Sequence, residues 1–453
     1  MGYIDARASR EVNGTPREDN KLRWEDRAAH DWYRFVLSFP PHLVREYIDR
    51  FGIGGSQRVL DPFCGTGTTL VECKKLGVAS VGIEANPMAS FASRVKVRWS
   101  VDPDGLLRHA YEIEKLASQR VEAEGIDDAD GLPLFPPRQK GPAGLQTLPA
   151  DSSKLLLKGS VSPLPLHKTL VLLQTLQEHQ DDRFSEHERL ALAKAIVFGI
   201  SNLEFGPEVG VGPAKRDAPV VTTWLNGVRS IAGDLRVLRS REAVPAVVYR
   251  ADSRCLSAIL EPSSVDAVIT SPPYPNEKDY TRTTRLESVV LGFIRNKRDL
   301  RSLKLNLLRS NTRGVYRGDR DDSLVAEHDR IQRIAEAIEK RRIELGKTSG
   351  FERLYARVTK LYFGGMARHL ADLRALLRPG SQLAYVVGDQ ASYLRVMIRT
   401  GELLAEIAQS LGYELVGTDL FRTRLATATR EQLREEVVIL RWPGPGTGQR
   451  QLA

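Results

Sequence analysis

No stretch limits the possible folds of this chain more than Asp61-Pro62-Phe63-Cys64-Gly65-Thr66-Gly67-Thr68. It follows a short β-type run, Arg58 to Leu60, and opens a segment of helical spacing, Thr68 to Gly77; Ser80 to Ile83 is β-type again. Strand, glycine turn, helix and strand make a βαβ unit, the repeating piece of a parallel sheet. Glycines let the turn's backbone approach a ligand, and the N–H groups opening the helix are free to meet it. Gly-x-Gly alone reads equally well as a tight βα connection; the full octet is more specific. It has no third glycine and no Lys-Ser/Thr pair, so it is neither a dinucleotide fingerprint nor a P-loop.

Glu84 ends the second strand, 23 residues after Asp61. A carboxylate at that tip can accept both ribose hydroxyls of a nucleoside cofactor. Val265 to Thr270 reads as a buried strand running into Ser271-Pro272-Pro273-Tyr274. Towards the C-terminus the pattern resumes: helix from Met366 to Leu377 stopped by Arg378-Pro379-Gly380, strand from Gln382 to Val387, helix from Gly401 to Leu411, strand from Glu436 to Leu440. The sheet is thus assembled from three separated pieces of sequence.

Two insertions interrupt it. The first runs from about Val101 to Pro245. Gly131 to Pro165 within it holds seven of the chain's 24 prolines and reads as a loop or extended strap. Ser185 with Glu188 three residues on has capping-box spacing. Gly206 to Arg216 reads either as a mobile loop near a ligand or as plain surface. The second insertion, Leu286 to Tyr362, reads as helical and highly charged. Met1 to Asp26 is charged, without the apolar core of a secretory leader, and no apolar run reaches the roughly 20 residues of a membrane span. Cys64, Cys73 and Cys255 and the eight scattered histidines show no metal spacing. These features point to a cytoplasmic, metal-free protein.

In Ser271-Pro272-Pro273-Tyr274 the prolines lack N–H groups and hold a rigid extended backbone. Ser271 Oγ and the Pro272 carbonyl then present acceptors to an amino group, and Tyr274 can stack on a planar base. Together with the glycine turn, this motif resembles the amino-methyltransferase family of DNA methyltransferases, which make N4-methylcytosine or N6-methyladenine. The resemblance covers residues 34–100, 246–280 and 366–442. It implies a class I S-adenosylmethionine-dependent methyltransferase fold, α/β with a mostly parallel seven-stranded sheet carrying two inserted helical regions.

By the same resemblance S-adenosylmethionine is the cofactor. Asp61, Phe63, Gly65, Gly67 and Thr68 lie in the turn that binds its methionine portion, and Glu84 holds the ribose. Phe39 and Pro40, in Ser38-Phe39-Pro40-Pro41, cover the cofactor, and Asp252 reaches the adenine amino group. Ser271, Pro272, Pro273 and Tyr274 are the catalytic residues. Ser at 271 favours cytosine N4 over adenine N6. The cofactor turn precedes the catalytic motif, whereas many cytosine-N4 enzymes have the reverse order. That leaves open which insertion reads the target. The expected organisation is 1–100 for the cofactor half, 101–245 for a candidate target-recognition insertion, 246–285 for the catalytic part, 286–362 for a basic helical insertion and 363–453 for the remaining methyltransferase segment.

DNA is the expected partner, and the resemblance implies a restriction-modification or defence setting with partner proteins. An RNA methyltransferase and a non-catalytic DNA-binding subunit are the alternatives. The chain has no Pro-Cys dipeptide, which argues against ring-carbon methylation through a cysteine adduct. The whole-chain charge is only +9, yet Arg295 to Arg320 holds nine basic residues against Asp299 and Asp319. In a helix, Arg295 would meet Asp299 and Arg317 would meet Asp321 at i+4. Arg301, Lys304, Arg309 and Arg313 have no such neighbour, and these four are the candidate contacts to DNA phosphates; a solvated helix face is the plainer reading.

Overall fold

The computed structural model describes residues 22–34, 38–128, 144–206, 208–276, 278–425 and 432–446. Its strands are, in chain order, β1 (Arg58–Asp61), β2 (Ala79–Ile83), β3 (Leu203–Phe205), β4 (Val209–Val211), β5 (Ala246–Tyr249), β6 (Val265–Thr270), β7 (Leu377–Gly388), β8 (Glu414–Leu425) and β9 (Gln432–Arg441). Seven of them form one sheet in the order β5-β2-β1-β6-β7-β9-β8, and β3 pairs with β4 in a separate hairpin. Pairing is parallel from β5 to β7, while β9 runs antiparallel to both β7 and β8. This is the mostly parallel seven-stranded sheet of the class I methyltransferase fold.

The chain leaves β1 in one direction to β2 and β5, then crosses to β6 on the other side of β1. The crevice beyond the carboxyl ends of β1 and β6 is therefore the topological switch point, where open α/β sheets bind ligands. The glycine turn follows β1 and the Ser-Pro-Pro-Tyr turn follows β6, so strand order alone brings the two together.

The central strands are buried on both faces, as parallel strands between helical layers are. Val59, Ala267, Ile269, Ala384, Val386, Val437 and Ile439 pack on one face with the helix Pro41–Arg50. Leu60, Val268, Leu383, Tyr385, Val387, Val438 and Leu440 pack on the other with the helices Tyr355–Leu373 and Thr400–Ser410. The first insertion supplies the long helices Pro103–Ala123, Pro163–Glu178, Ser185–Ala195 and Val220–Leu238. They share a core with Leu70, Val71, Met88 and Phe91, from the helices after β1 and β2.

Several local expectations are corrected. The proline-rich stretch lies outside the described residues up to 143; beyond it, Ala150–Ser153 and Pro163–Glu178 are helical, because Pro163 occupies a first-turn position that needs no N–H. Ser185 makes no capping hydrogen bond, and Glu188 turns inward to pair with His109 at 2.7 Å. Leu377 to Gly380 belongs to β7 rather than to a helix stop; the helix ends earlier, at Leu373. In the second insertion, the long part from Asn306 to Arg320 is irregular apart from one short turn. Among the described residues no helix is long and apolar enough to cross a membrane.

Candidate functional site

The glycine turn has the backbone that its glycines predict. Gly65 and Gly67 have φ of 51° and 84°, and a Cβ on Gly67 would lie 2.5 Å from Ser93 Oγ. No other residue fits there. Gly67 opens the helix Thr68–Lys75, whose first N–H groups point back to the turn. Glu84 closes it from the next strand: Oε2 accepts from Gly65 N at 3.0 Å and Oε1 from Asn86 N at 2.7 Å. Burial pushes the Glu84 carboxyl up to about 7 against those hydrogen bonds.

Asp61 is fully buried, and it does not line the ligand cavity. Its Oδ1 accepts from the Thr270 hydroxyl at 2.6 Å and from Phe63 N at 3.1 Å. Burial raises its carboxyl to about 6. Asp61 thus ties the end of β1 to the end of β6 and acts on the cofactor turn through position. Thr270 is the residue before Ser271. The Ser271 hydroxyl donates to the Val386 carbonyl at 3.1 Å, which leaves its lone pairs to accept. Tyr274 lies over Gly388, where a Cβ would meet the ring at 2.8 Å. Burial, reinforced by the Glu435 charge, raises the Tyr274 phenol far above its usual range.

Both motifs open on one cavity of about 260 Å³. Phe39, Phe63, Gly65, Thr68 and Glu84 line it from one side, and Ser271 through Tyr274 from the other. Phe63 is steadied edge-on by the His369 ring, 5.0 Å away. Pro40 caps the helix Pro41–Arg50 and, like Gly67, does not line the cavity. Asp252 is also displaced from its expected role: Ala251 and Ser253 line the cavity, while the Asp252 carboxylate grips the Arg254 guanidinium at 2.7 Å.

Arg254 also reaches Asp321 at 2.7 Å, fastening the irregular segment of the second insertion across the site. Leu307 to Asn311 then form part of the cavity wall. Gly364 and Gly365 let that segment lie against their helix. A Cβ on Gly364 would fall 1.8 Å from the Asp321 carbonyl oxygen, and one on Gly365 would fall 2.5 Å from Leu308 Cδ1. Sequence reasoning missed this wall, although adjacent glycines inside a helical pattern are a legible sign of close backbone approach.

The proposed phosphate contacts divide. Lys304 is half of a partly buried pair with Asp279, Nζ to Oδ2 2.8 Å, and lines the cavity. Arg309 is 3% exposed and pairs with Asp319 at 2.8 Å. The expectation that their charges stand free is corrected, because the partners lie 25 residues upstream and 10 downstream, beyond helical spacing. Arg301 and Arg313 are exposed, stacked over Tyr316 at 5.1 Å and Phe351 at 5.7 Å. Asp321 is taken by Arg254 and Arg368 rather than by Arg317. The hairpin strand β4 begins beside Glu208, which approaches Arg282 at 4.0 Å. No group of metal-ligating side chains occurs among the described residues.

A family model described as a DNA methylase, of the N6/N4 type, matches residues 9–90. The type II methyltransferase M.BsoBI of Geobacillus stearothermophilus is 26% identical over 441 residues, covering 92% of this chain and 85% of its own. The type II methyltransferase M.AvaI of a Nostoc species is 22% identical over 438 residues, covering 92% and 87%. The type II methyltransferase M.MjaII of Methanocaldococcus jannaschii is 33% identical over 89 residues, 19% of this chain and 14% of its own. The solved structure of TrmN from Thermus thermophilus aligns over 89% of this chain and 48% of its own, with 10% identity and a TM-score of 0.27. The family match and the two relatives aligned over 92% of this chain bear out the resemblance to the amino-methyltransferases. S-adenosylmethionine is the methyl donor which that family implies, and the cradle fits it: a backbone approachable at Gly65, an acceptor at Glu84, and apolar walls at Phe39 and Phe63.

Proposed function

On the premise of that amino-methyltransferase resemblance, we propose that this chain is a site-specific DNA methyltransferase acting on the exocyclic amine of a base, cytosine N4 ahead of adenine N6. One observation carries the reading: the glycine turn and the Ser-Pro-Pro-Tyr turn wall the same cavity, joined by the Asp61–Thr270 hydrogen bond. S-adenosylmethionine, when bound, supplies an electrophilic sulfonium methyl group.

The residues do the rest by position and electrostatics. An aromatic amine is a poor nucleophile because its lone pair is delocalised into the ring. Ser271 Oγ, its own proton committed to Val386, accepts an amine hydrogen and favours a pyramidal nitrogen with its lone pair freed. The Pro272 carbonyl is the second acceptor. The base must leave the duplex to enter the cavity, where Tyr274 stacks on it. Ser at 271 supports cytosine N4. The basic face at Arg301 and Arg313 is our candidate for phosphate contact, and the Val101 to Pro245 insertion our candidate for sequence reading. A restriction-modification setting with a partner nuclease follows from the same reading.

The test is incubation with labelled S-adenosylmethionine and either DNA or RNA, followed by nucleoside mass spectrometry. N4-Methylcytosine in DNA is expected. N6-Methyladenine overturns the base assignment, and label confined to RNA overturns the substrate.

A further inference from the structure

The cavity contains a hydrogen-bond acceptor that the glycine turn and the Ser-Pro-Pro-Tyr turn do not account for. Asn311 lies in the wall contributed by the second insertion and is 8% exposed. Its Nδ2 donates to the Lys278 carbonyl at 3.2 Å, with Ser310 Oγ at 3.5 Å. That contact fixes the amide's orientation, since a flipped amide would set two carbonyl oxygens 3.2 Å apart. Its Oδ1 is buried and has no partner among the described residues. A buried acceptor without a donor costs free energy unless a ligand supplies one.

The surroundings indicate which ligand. Lys278 is four residues past Tyr274, so Asn311 is braced on the catalytic loop rather than on the cofactor turn. Lys304 lines the same cavity. Two of its hydrogens go to Asp279 at 2.8 Å and towards the Arg313 carbonyl at 3.4 Å, which leaves a third to donate. An acceptor with a donor nearby complements the edge of an aminated base, where an amine adjoins an unprotonated ring nitrogen.

We propose that Asn311 Oδ1 accepts, while the amine is planar, the hydrogen that Ser271 takes over as the nitrogen pyramidalises, and that Lys304 donates to the neighbouring ring acceptor, so that these two residues select an aminated base. This rests on the reading of the chain as a base-amine methyltransferase. Asn311 engages the amine while it is planar, whereas Ser271 gains as the nitrogen pyramidalises. Asn311 therefore contributes to holding the base and Ser271 to turnover.

The test measures methyl transfer to unmethylated plasmid DNA from tritiated S-adenosylmethionine, with cofactor affinity taken separately by calorimetry. Asn311→Ala should raise KM for DNA about tenfold and leave kcat and cofactor affinity within about twofold. Asn311→Asp keeps the acceptor oxygen but turns a second oxygen towards the Lys278 carbonyl, at a cost that should keep KM within about threefold of the parent and still below that of Asn311→Ala. Equal impairment of the two variants would mean that Asn311 only braces the loop, and overturns the proposal. So does an unchanged KM in Asn311→Ala, or a loss of cofactor affinity in step with KM, which would assign the acceptor to the cofactor. If Asn311→Ala does not fold, Asn311→Asp decides by the same threefold limit. A parent that methylates no DNA overturns the underlying function instead, a distinct result.

Discussion

The Thr270 hydroxyl donates to Asp61 Oδ1 at 2.6 Å, deep between β1 and β6. One bond thereby fixes the spacing between the glycine turn and the turn that carries Ser271. Thr270→Val, which removes the donor while keeping the shape, takes away one of the two hydrogen bonds at Asp61 Oδ1 and should cost about 1–3 kcal/mol of stability. Both cofactor affinity and turnover should fall, because the two turns lose their common register. Urea unfolding and calorimetry check this; loss of turnover with full cofactor affinity would place the bond in the catalytic turn alone.

Glu84 should impose a pH dependence on cofactor binding. Its carboxyl, raised to about 7 by burial, is largely protonated in the free protein below that value. The ionised form is the better acceptor for hydroxyl groups, so affinity should rise between pH 6 and 8, through that value. Glu84→Gln should flatten the rise relative to the parent and weaken binding by about 1–3 kcal/mol at pH 8. Calorimetry across that range decides the matter.

Gly388 marks a contact that turnover should report. A Cβ there would meet the Tyr274 ring at 2.8 Å. Gly388→Ala should displace the ring, lowering methyl transfer while sparing cofactor affinity. Tyr274→Ala should lose about 1–3 kcal/mol of base stacking. Ser271→Ala should depress kcat rather than KM. A Gly388→Ala protein with parental kinetics would show that the ring does not need its place.

Three buried carboxyls should lose their contribution to stability as pH rises towards neutrality, opposed by His30, His187 and His369, whose imidazoles burial holds down at about 4. Burial raises the carboxyls of Asp61 to about 6 and of Glu84 and Glu287 to about 7. Each keeps its proton in the folded chain over a range where the unfolded chain has released it. Their contribution is therefore complete below about pH 4 and is lost as pH climbs to about 7. Glu72 works in the opposite sense: burial pushes it up, but His30, Lys75 and Arg45 bring it down to about 2, and its contribution is lost as pH falls towards that value. Glu287→Gln should make the change in melting temperature from pH 5 to pH 8 more favourable than in the parent, and an identical change would remove Glu287 from the account.

Salt dependence should separate the basic residues. Removing Arg301 and Arg313 together should reduce the slope of log affinity against log salt by about 1.8, two phosphate contacts at about 0.9 each. Arg309→Ala should instead destabilise the fold, since it strips the partner from Asp319 and three backbone carbonyls. DNA titrations over a salt series and thermal melts distinguish the two. An unchanged slope in the double variant moves attention to the Val101 to Pro245 insertion.

What the sequence determined by itself is local. The turn at Gly65 and Gly67, the helix that follows it, the buried run Val265 to Thr270 and the rigid Ser271 to Tyr274 turn all rest on backbone preferences within a few residues. Those are the forces that a short window of sequence records, and with them came the sheet's central strands and the two principal walls of the cavity. The edge strands β5 and β8 were not legible, because β5 is only four residues long and β8 has no fully buried position along its length. Charge pairing was misread for a related reason. Helical spacing reveals only neighbours three and four residues away, whereas Lys304 and Arg309 found Asp279 and Asp319 across a fold that the spacing does not encode. Asp61 and Asp252 were read as cofactor contacts. Strand pairing turned the first inward to Thr270, and an adjacent guanidinium captured the second. The wall at Leu307 to Asn311, with its unmet acceptor, exists only because Arg254 and two glycines hold a distant segment against the site. Contacts of that kind join residues more than 40 positions apart, and tertiary packing alone decides them.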